Sequence, residues 1–497
     1  MKLYDAMSLV AMAAHACDGL NFSFQSNLNG WYSCPSVPLC YPGFCKVPDC
    51  VNPSVDMFVK RIPAAKDPTT ASNFWLLSDD AGSSSTSLEK YMYIAGLRRS
   101  TTLQRKYGSL SAFSTTSAAK DVATFFLDYT NGAYTIVYGW NYGSALAERL
   151  MHLNCPQVTG YVLDDIATTS GATRNKSYYV SMADIDSGDI GDAFMALCAT
   201  TRECRKHFWS RSLANTLQDL MTQLDDEPKS ACAALITKAA GDKITDPASH
   251  VLTYIFTLFD VASSSTTHDD DRFGSNILYL VQFSEYWEKP TPFMAEMTLR
   301  FTSATVSGGD MASLVPLYCA CSKEKSAVCD HLRVGSYSAN GTIYEVDEYC
   351  NKSAKIPTQA SVLFMSTKLN PIAHYKYAEH LMKTLDGNKK ELVAFEYVST
   401  GTISGLELRV EEKHLCGMKL LLSYVTNDDD LELLDKSCVD ETPQFNMDMT
   451  LASWYTYMKT DDAYDGDYYE DIVDICYANL AVCLDNEAIL AGKEPTA

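Results

Sequence analysis

Residues 135–153 read TIVYGWNYGSALAERLMHL. Residues 135–138 are a short apolar strand. Gly139-Trp140-Asn141-Tyr142-Gly143 is a sharp G-x-X-x-G turn, and Leu146, Leu150 and Leu153 then recur at helical spacing. A strand that turns this tightly into a helix displays its central residue on a strained backbone at the end of a sheet. Enzymes place Ser there, or sometimes Cys or Asp. This chain has Asn141, and a carboxamide is not a usable nucleophile. The turn demands φ > 0, which Asn tolerates better than most residues that carry a Cβ. Asn141 therefore suits the geometry and drops the chemistry.

The pattern extends outward on both sides. Residues 55–59 and 73–77 read as strands, and residues 117–126 as a helix with Val122, Phe125 and Phe126 on one side. Residues 160–164 are another short buried strand. Alternation then stops. The stretch 176–345 reads as helices, at 190–199, 213–224 and 275–288, among Ser/Asp-rich loops. It resumes with a strand at 360–365, a helix at 375–385, a strand at 391–397 and a helix at 416–424. Strands alternating with helices predict an α/β fold with a mostly parallel, doubly wound sheet, here interrupted by a helical cap. The expected organisation is a leader at 1–16, a Cys-rich segment at 17–54, core halves at 55–175 and 346–455 around the cap at 176–345, and an acidic tail at 456–497. Residues 461–475 hold seven Asp or Glu and no Lys or Arg. That run reads as a solvated tail, and it does not meet the ligand spacing of an EF-hand.

The 497 residues carry a formal net charge of −22, which argues against binding the phosphate backbone of nucleic acid. Seventeen cysteines are many for a reducing compartment. Cys34, Cys40, Cys45 and Cys50 cluster among Pro and Gly. Local pairs follow: Cys198 with Cys204, Cys319 or Cys321 with Cys329, Cys416 with Cys438, and Cys476 with Cys483. This reads as a disulfide framework of an oxidising compartment, favoured over its rival, a zinc site, because the paired C-x2-C spacing is absent; spacing leaves the connectivity open. The apolar run 7–16 ends in Ala14-His15-Ala16, the form of a signal-peptide cleavage site, although Lys2 is the lone basic residue before it and Asp5 is unfavourable. Sequons at Asn21, Asn175, Asn340 and Asn351 agree with export as a glycoprotein. No later run reaches the ~18 apolar residues of a membrane span. Neither a cofactor nor a metal is expected.

Several stretches together resemble the secreted serine peptidases of family S33, the tripeptidyl- or prolyl-aminopeptidase branch of the α/β-hydrolases with a TAP-like C-terminal region. They are VYGWNYGSALAERLMHL with QVTGYVLDD, SVLFMSTKLNPIAHYKYAEHL, LVAFEYVSTGT, HLCGMKLLLSY and LDKSCVDETP, with weaker likeness in FVKRIPA, NFWLLSDDAGSSS and PLCYPGFC. The resemblance spans most of residues 30–450 and implies an α/β-hydrolase fold with an inserted helical cap. It also implies where the catalytic groups belong. The family's elbow Ser falls on Asn141. Its acid, in a motif close to G-K-L-D-P, falls on Asn370 of Thr367-Lys368-Leu369-Asn370-Pro371. Its His, in a stretch like Y-x-x-H-G-T, falls on Thr400. All three are replaced. The family's G-G-P-G oxyanion loop corresponds to Asp79-Asp80-Ala81-Gly82, whose carboxylates would repel a developing negative charge. A D-x-R-G-x-G-x-S stretch expected near residues 95–100 is absent or shortened. Tyr142 N–H is the one oxyanion donor whose position survives.

The expectation is a secreted, catalytically inactive peptidase-like protein that binds peptides or another protein. The alternative is a serine hydrolase or aminopeptidase working through a rearranged site, for which Ser144 with His374 is the candidate pair. His152, His207, His380 and His414 read as surface or packing residues, Cys155 as an unactivated thiol, and Asp79-Asp80 and Asp164-Asp165 as solvated or structural acids.

Overall fold

Unbroken apolar runs are stable as strands where both faces of a sheet are covered. Residues 136–138, 161–163 and 362–365 are such runs, and in the computed structural model they form the centre of one sheet. The structure describes residues 7–14, 31–33, 36–41, 53–62, 72–77, 109–130, 132–208, 210–227, 271–307, 311–334, 341, 343–399, 401–403, 416–442 and 445. The strands are β1 (Met7–Ala14), β2 (Trp31–Ser33), β3 (Ser36–Pro38), β4 (Ser54–Ile62), β5 (Ser72–Leu77), β6 (Thr135–Asn141), β7 (Gly160–Ile166), β8 (Ser361–Thr367) and β9 (Lys390–Phe395). Their spatial order is β2-β4-β1-β5-β6-β7-β8-β9, with β3 also on β4. β1 and β5 through β9 run parallel, whereas β4 is antiparallel to β1, β2 and β3. The architecture is α/β, as the alternation of elements predicts.

The period of two along each strand feeds two cores. Val137, Tyr161, Leu163, Val362 and Phe364 point to one face, under α1 (Thr115–Tyr129), α2 (Tyr142–Leu153) and a later helix at Tyr375–Thr384. Ile136, Tyr138, Val162, Leu363 and Met365 point to the other, under the helix Cys416–Thr426. Between β7 and β8 the described elements are all helical: α3 (Ala183–Leu197), α4 (Arg202–His207), α5 (Leu213–Asp226), α6 (Asp271–Glu285), α7 (Met294–Ser303), α8 (Leu314–Ser322) and α9 (Ala327–Leu332), with short 3-10 turns. Beyond β8 come α10 (Tyr375–Thr384), α11 (Cys416–Thr426) and α12 (Ser437–Asp440).

The chain divides into two compact units. One comprises Met1–Gly191 and Ser265–Pro443 and holds the sheet, its covering helices and α6 to α9. In that unit Phe283, Trp287, Val315 and Tyr318 form a separate aromatic-rich core beside the Cys319–Cys329 disulfide. The other comprises Asp192–Ser264 and Gln444–Ala497; its described residues include the end of α3, α4 and α5, with the Cys198–Cys204 disulfide. The interrupting segment is thus divided between the two units. Cys416–Cys438 ties α11 to α12. Among the described residues no helix is long and apolar enough to cross a membrane.

Two elements differ from the sequence reading. Residues 7–14, read as the apolar part of a leader, form β1, which pairs with β4 on one side and β5 on the other. Cleavage after Ala16 would remove that strand. The helix expected to begin at residue 190 begins at Ala183. Its first turn contains Asp184 and Asp186, which hide the apolar spacing. Both are buried because the fold brings them donors: Ser307 Oγ donates to Asp184 at 2.5 Å, and Tyr377 OH and Lys376 Nζ donate to Asp186. The acidic tail, Asp79 to Gly82, residues 95–100, Thr400 and the Cys476/Cys483 pair lie outside the described residues.

Candidate functional site

Asn141 ends β6 at φ 50°, ψ −115°, and Tyr142 begins α2. Few residues with a Cβ occupy this conformation, and strain of this kind concentrates where a side chain must be displayed. The turn is tight enough that a Cβ on Gly139 would meet the Gly143 carbonyl oxygen at 2.1 Å. Asn141 is half-buried, and its Oδ1 is buried without a hydrogen-bond partner. Ser144 stabilises the turn from inside α2: its Oγ donates to Asn141 O at 2.5 Å and accepts from Ala167 N at 2.9 Å. Tyr142 OH donates to Thr115 Oγ1 at 3.2 Å, and burial pushes its phenol above the ordinary range.

The sequence-derived candidates fall in separate surroundings. Asn370 is buried, and its Oδ1 accepts from Ile372 N at 2.8 Å and Ala373 N at 3.0 Å. Its carboxamide folds the loop after β8, an Asx-type turn. Ser144 is fully buried and spends its hydroxyl on backbone groups. His374 caps α10, its Nδ1 accepting from Lys376 N at 3.0 Å and its Nε2 lying 3.8 Å from Asp189 Oδ2. Burial first, then the Lys376 charge, hold this imidazole below its usual value. No hydrogen bond joins Ser144 to His374, so the structure does not assemble the candidate pair. Buried Cys155 has its thiol pushed up to about 11 by desolvation, which opposes thiolate chemistry.

Sequence reasoning gave too little weight to Asp164 and Asp165. Both are fully buried at the end of β7. Trp140 pairs with Asp164 and Asn141 with Ile166, so Asp165, at φ 48°, is the extra residue of a bulge. Successive strand residues ordinarily face opposite sides. The bulge lets both carboxylates reach the backbone at Gly401 and Thr402, just after Thr400. Asp164 accepts from Tyr138 OH at 2.7 Å, Thr402 Oγ1 at 2.8 Å and Thr402 N at 3.1 Å. Asp165 accepts from Thr367 Oγ1 at 3.0 Å, Trp140 Nε1 at 3.2 Å and Gly401 N at 2.5 Å. Desolvation, and then the neighbouring Asp165 charge, push Asp164 up to about 8. Desolvation also raises Asp165. Two adjacent acids after an apolar strand were the only sequence signal.

A second buried network anchors the elbow helix. Glu285 accepts from Tyr344 OH at 2.6 Å and Thr115 N at 2.9 Å, and pairs with Arg149 at 3.3 Å. It joins α1, α2 and α6 beneath the turn. Among the described residues no three His, Cys, Asp or Glu side chains gather as a metal site. An open cleft of about 520 Å³ is lined by Thr130, Gly132, Tyr134, Pro156, Gln157 and Thr159, where β6 and β7 begin, at the opposite end of these strands from Asn141. No protein-family model matches the chain, and neither does any curated protein.

Proposed function

We propose that this chain is a non-catalytic, exported protein of α/β-hydrolase fold, related to the S33 peptidases, that binds a peptide or a partner protein. The observation that carries the reading is Asn141. It has the backbone of a displayed nucleophile and a side chain that cannot attack. Asn370, the position expected to carry the acid, adds support, because its amide is committed to the loop backbone. The disulfides Cys198–Cys204, Cys319–Cys329 and Cys416–Cys438 accord with an oxidising compartment. A rearranged hydrolase is disfavoured by Ser144, which is buried and hydrogen-bonded on both sides. What remains of a hydrolase after loss of its triad comes from the oxyanion hole and binding, roughly 10³–10⁴ over water; the resemblance aligns Asp79 and Asp80 with the family's oxyanion loop, where carboxylates disfavour the first of these.

The test is turnover of fluorogenic aminoacyl and prolyl substrates, with labelling by a serine-directed phosphonate in parallel. Neither turnover nor labelling is expected. Turnover that disappears in Asn141→Ala or Ser144→Ala would overturn the proposal.

A further inference from the structure

The backbone that displays Asn141 also positions it for a reaction with its own chain. A side-chain amide becomes an imide when the next residue's nitrogen attacks Cγ, closing a five-membered ring through Cβ, Cα and the backbone carbonyl carbon. The ring requires that nitrogen to eclipse Cβ. Ordinary helical and extended conformations hold it well away. At ψ −115°, tetrahedral geometry at Cα brings the Tyr142 nitrogen almost into eclipse with Cβ of Asn141.

Two further features lower the barrier. The attacking amide must lose its proton, and Ser144 Oγ donates to the carbonyl of that same peptide at 2.5 Å, withdrawing electrons from it. Tyr142 is the first residue of α2, where the helix dipole favours developing negative charge and the N–H has no acceptor within the helix. A nitrogen without hydrogen is tolerated at this position, as with proline, so the ring leaves the helix intact.

We infer that Asn141 is a self-modifying residue: the folded chain converts its carboxamide, through a succinimide with Tyr142 N, into aspartate or isoaspartate. The N–Cγ bond forms as the Cγ–NH2 bond breaks, and ammonia leaves with the proton from Tyr142 N. Water then opens the imide. Cleavage at Cγ gives aspartate, and cleavage at the backbone carbonyl gives isoaspartate. The net reaction exchanges ammonia for water without redox change. The aspartate product puts a carboxylate, a competent nucleophile type, at the strained position of the turn. The inference does not depend on the proposed binding role, since ring closure needs no ligand.

The full chain is incubated at mildly alkaline pH, folded or in urea, and digested with trypsin. Tandem mass spectrometry then reads conversion at each Asn. Asn141 and Asn131 share the tryptic peptide 121–149, and fragment ions separate them; Asn131, followed by Gly132, reports that the chemistry is running. Asn154 also has positive φ, at 52°, but its ψ of 52° is far from eclipse. Conversion of Asn141 is expected to be several-fold faster folded than unfolded, several-fold faster than at Asn154, slowed in Ser144→Ala and abolished in Asn141→Gln. If Asn141 stays amidated while Asn131 converts, or reacts no faster in the folded chain than in urea, the inference fails.

Discussion

A Cβ at position 139 would sit 2.1 Å from the Gly143 oxygen and 2.8 Å from Ser144 N, closer than any side chain can be accommodated. The collision is with backbone, so neither strand nor helix yields by rotating a rotamer. Gly139→Ala is expected to cost about 3 kcal/mol or more, read by urea denaturation. Two residues on, the constraint is torsional. Asn141 holds φ 50° against the preference of any residue with a Cβ. Asn141→Gly is expected to stabilise the fold by about 1 kcal/mol and Asn141→Val to destabilise it by about 2 kcal/mol. If the two variants were equally stable, the turn would not be strained. The glycines and the tolerance of Asn for positive φ were legible in the sequence. The double use of Ser144 was not, because one of its partners, Ala167 N, lies on the following strand's exit.

At the scale of elements, the sheet is only as continuous as β1. Ala11 pairs with Lys60 on β4 and Leu76 on β5, so a proline there removes a ladder hydrogen bond from an interior strand. Ala11→Pro is expected to destabilise by about 3 kcal/mol, measured by thermal melting. An unchanged melting temperature would show that residues 7–14 do not contribute to the sheet. A largely apolar run of eight residues suits a strand and a leader equally, so composition alone could not decide between them. α11 and α12 are tied by a disulfide of sequence separation 22. Replacing Cys416 and Cys438 with Ala is expected to cost about 3 kcal/mol through loop entropy, and reductant should then have a smaller effect than on wild type. Spacing suggested Cys198 with Cys204 and Cys416 with Cys438 as local candidates, and the structure forms both. Cys319, with Cys321 as rival, needed the geometry of α8 and α9 to be chosen for Cys329.

At the scale of the molecule, buried carboxyls set the pH dependence. Burial pushes Asp121 up to about 7 and Asp429 up to about 7, with Asp164 at about 8, and Glu148 is raised as well. At Glu296 burial acts in the same direction, but the hydrogen bonds and charges of Arg300 and Arg174 together outweigh it and lower the group. A carboxyl whose pKa is higher folded than unfolded binds its proton more tightly in the fold. Its contribution is complete below the unfolded value of ~4 and is lost as pH rises through the folded value. Stability is therefore expected to fall between about pH 5 and about pH 8, seen as a declining melting temperature, with a shallower decline in Asp164→Asn. A melting temperature that rises over this interval would mean that Asp164 is charged in the fold and stabilised by its Tyr138 and Thr402 donors.

The sequence by itself determined the α/β class, because alternating apolar strands and amphipathic helices leave few other ways to bury both faces of a sheet. It also determined the elbow, because two glycines flanking Asn141 permit a turn that other residues obstruct. Only the tertiary structure decided which polar residues are buried. Nothing in the linear chain marks Asp164, Asp165, Asp184 and Asp186 as interior, and they become so when distant donors at 402, 401, 307 and 377 arrive. It also decided the ψ of Asn141, which depends on where the helix lands. That angle separates a backbone on which an imide ring can close from one that holds the neighbour's nitrogen away from Cβ.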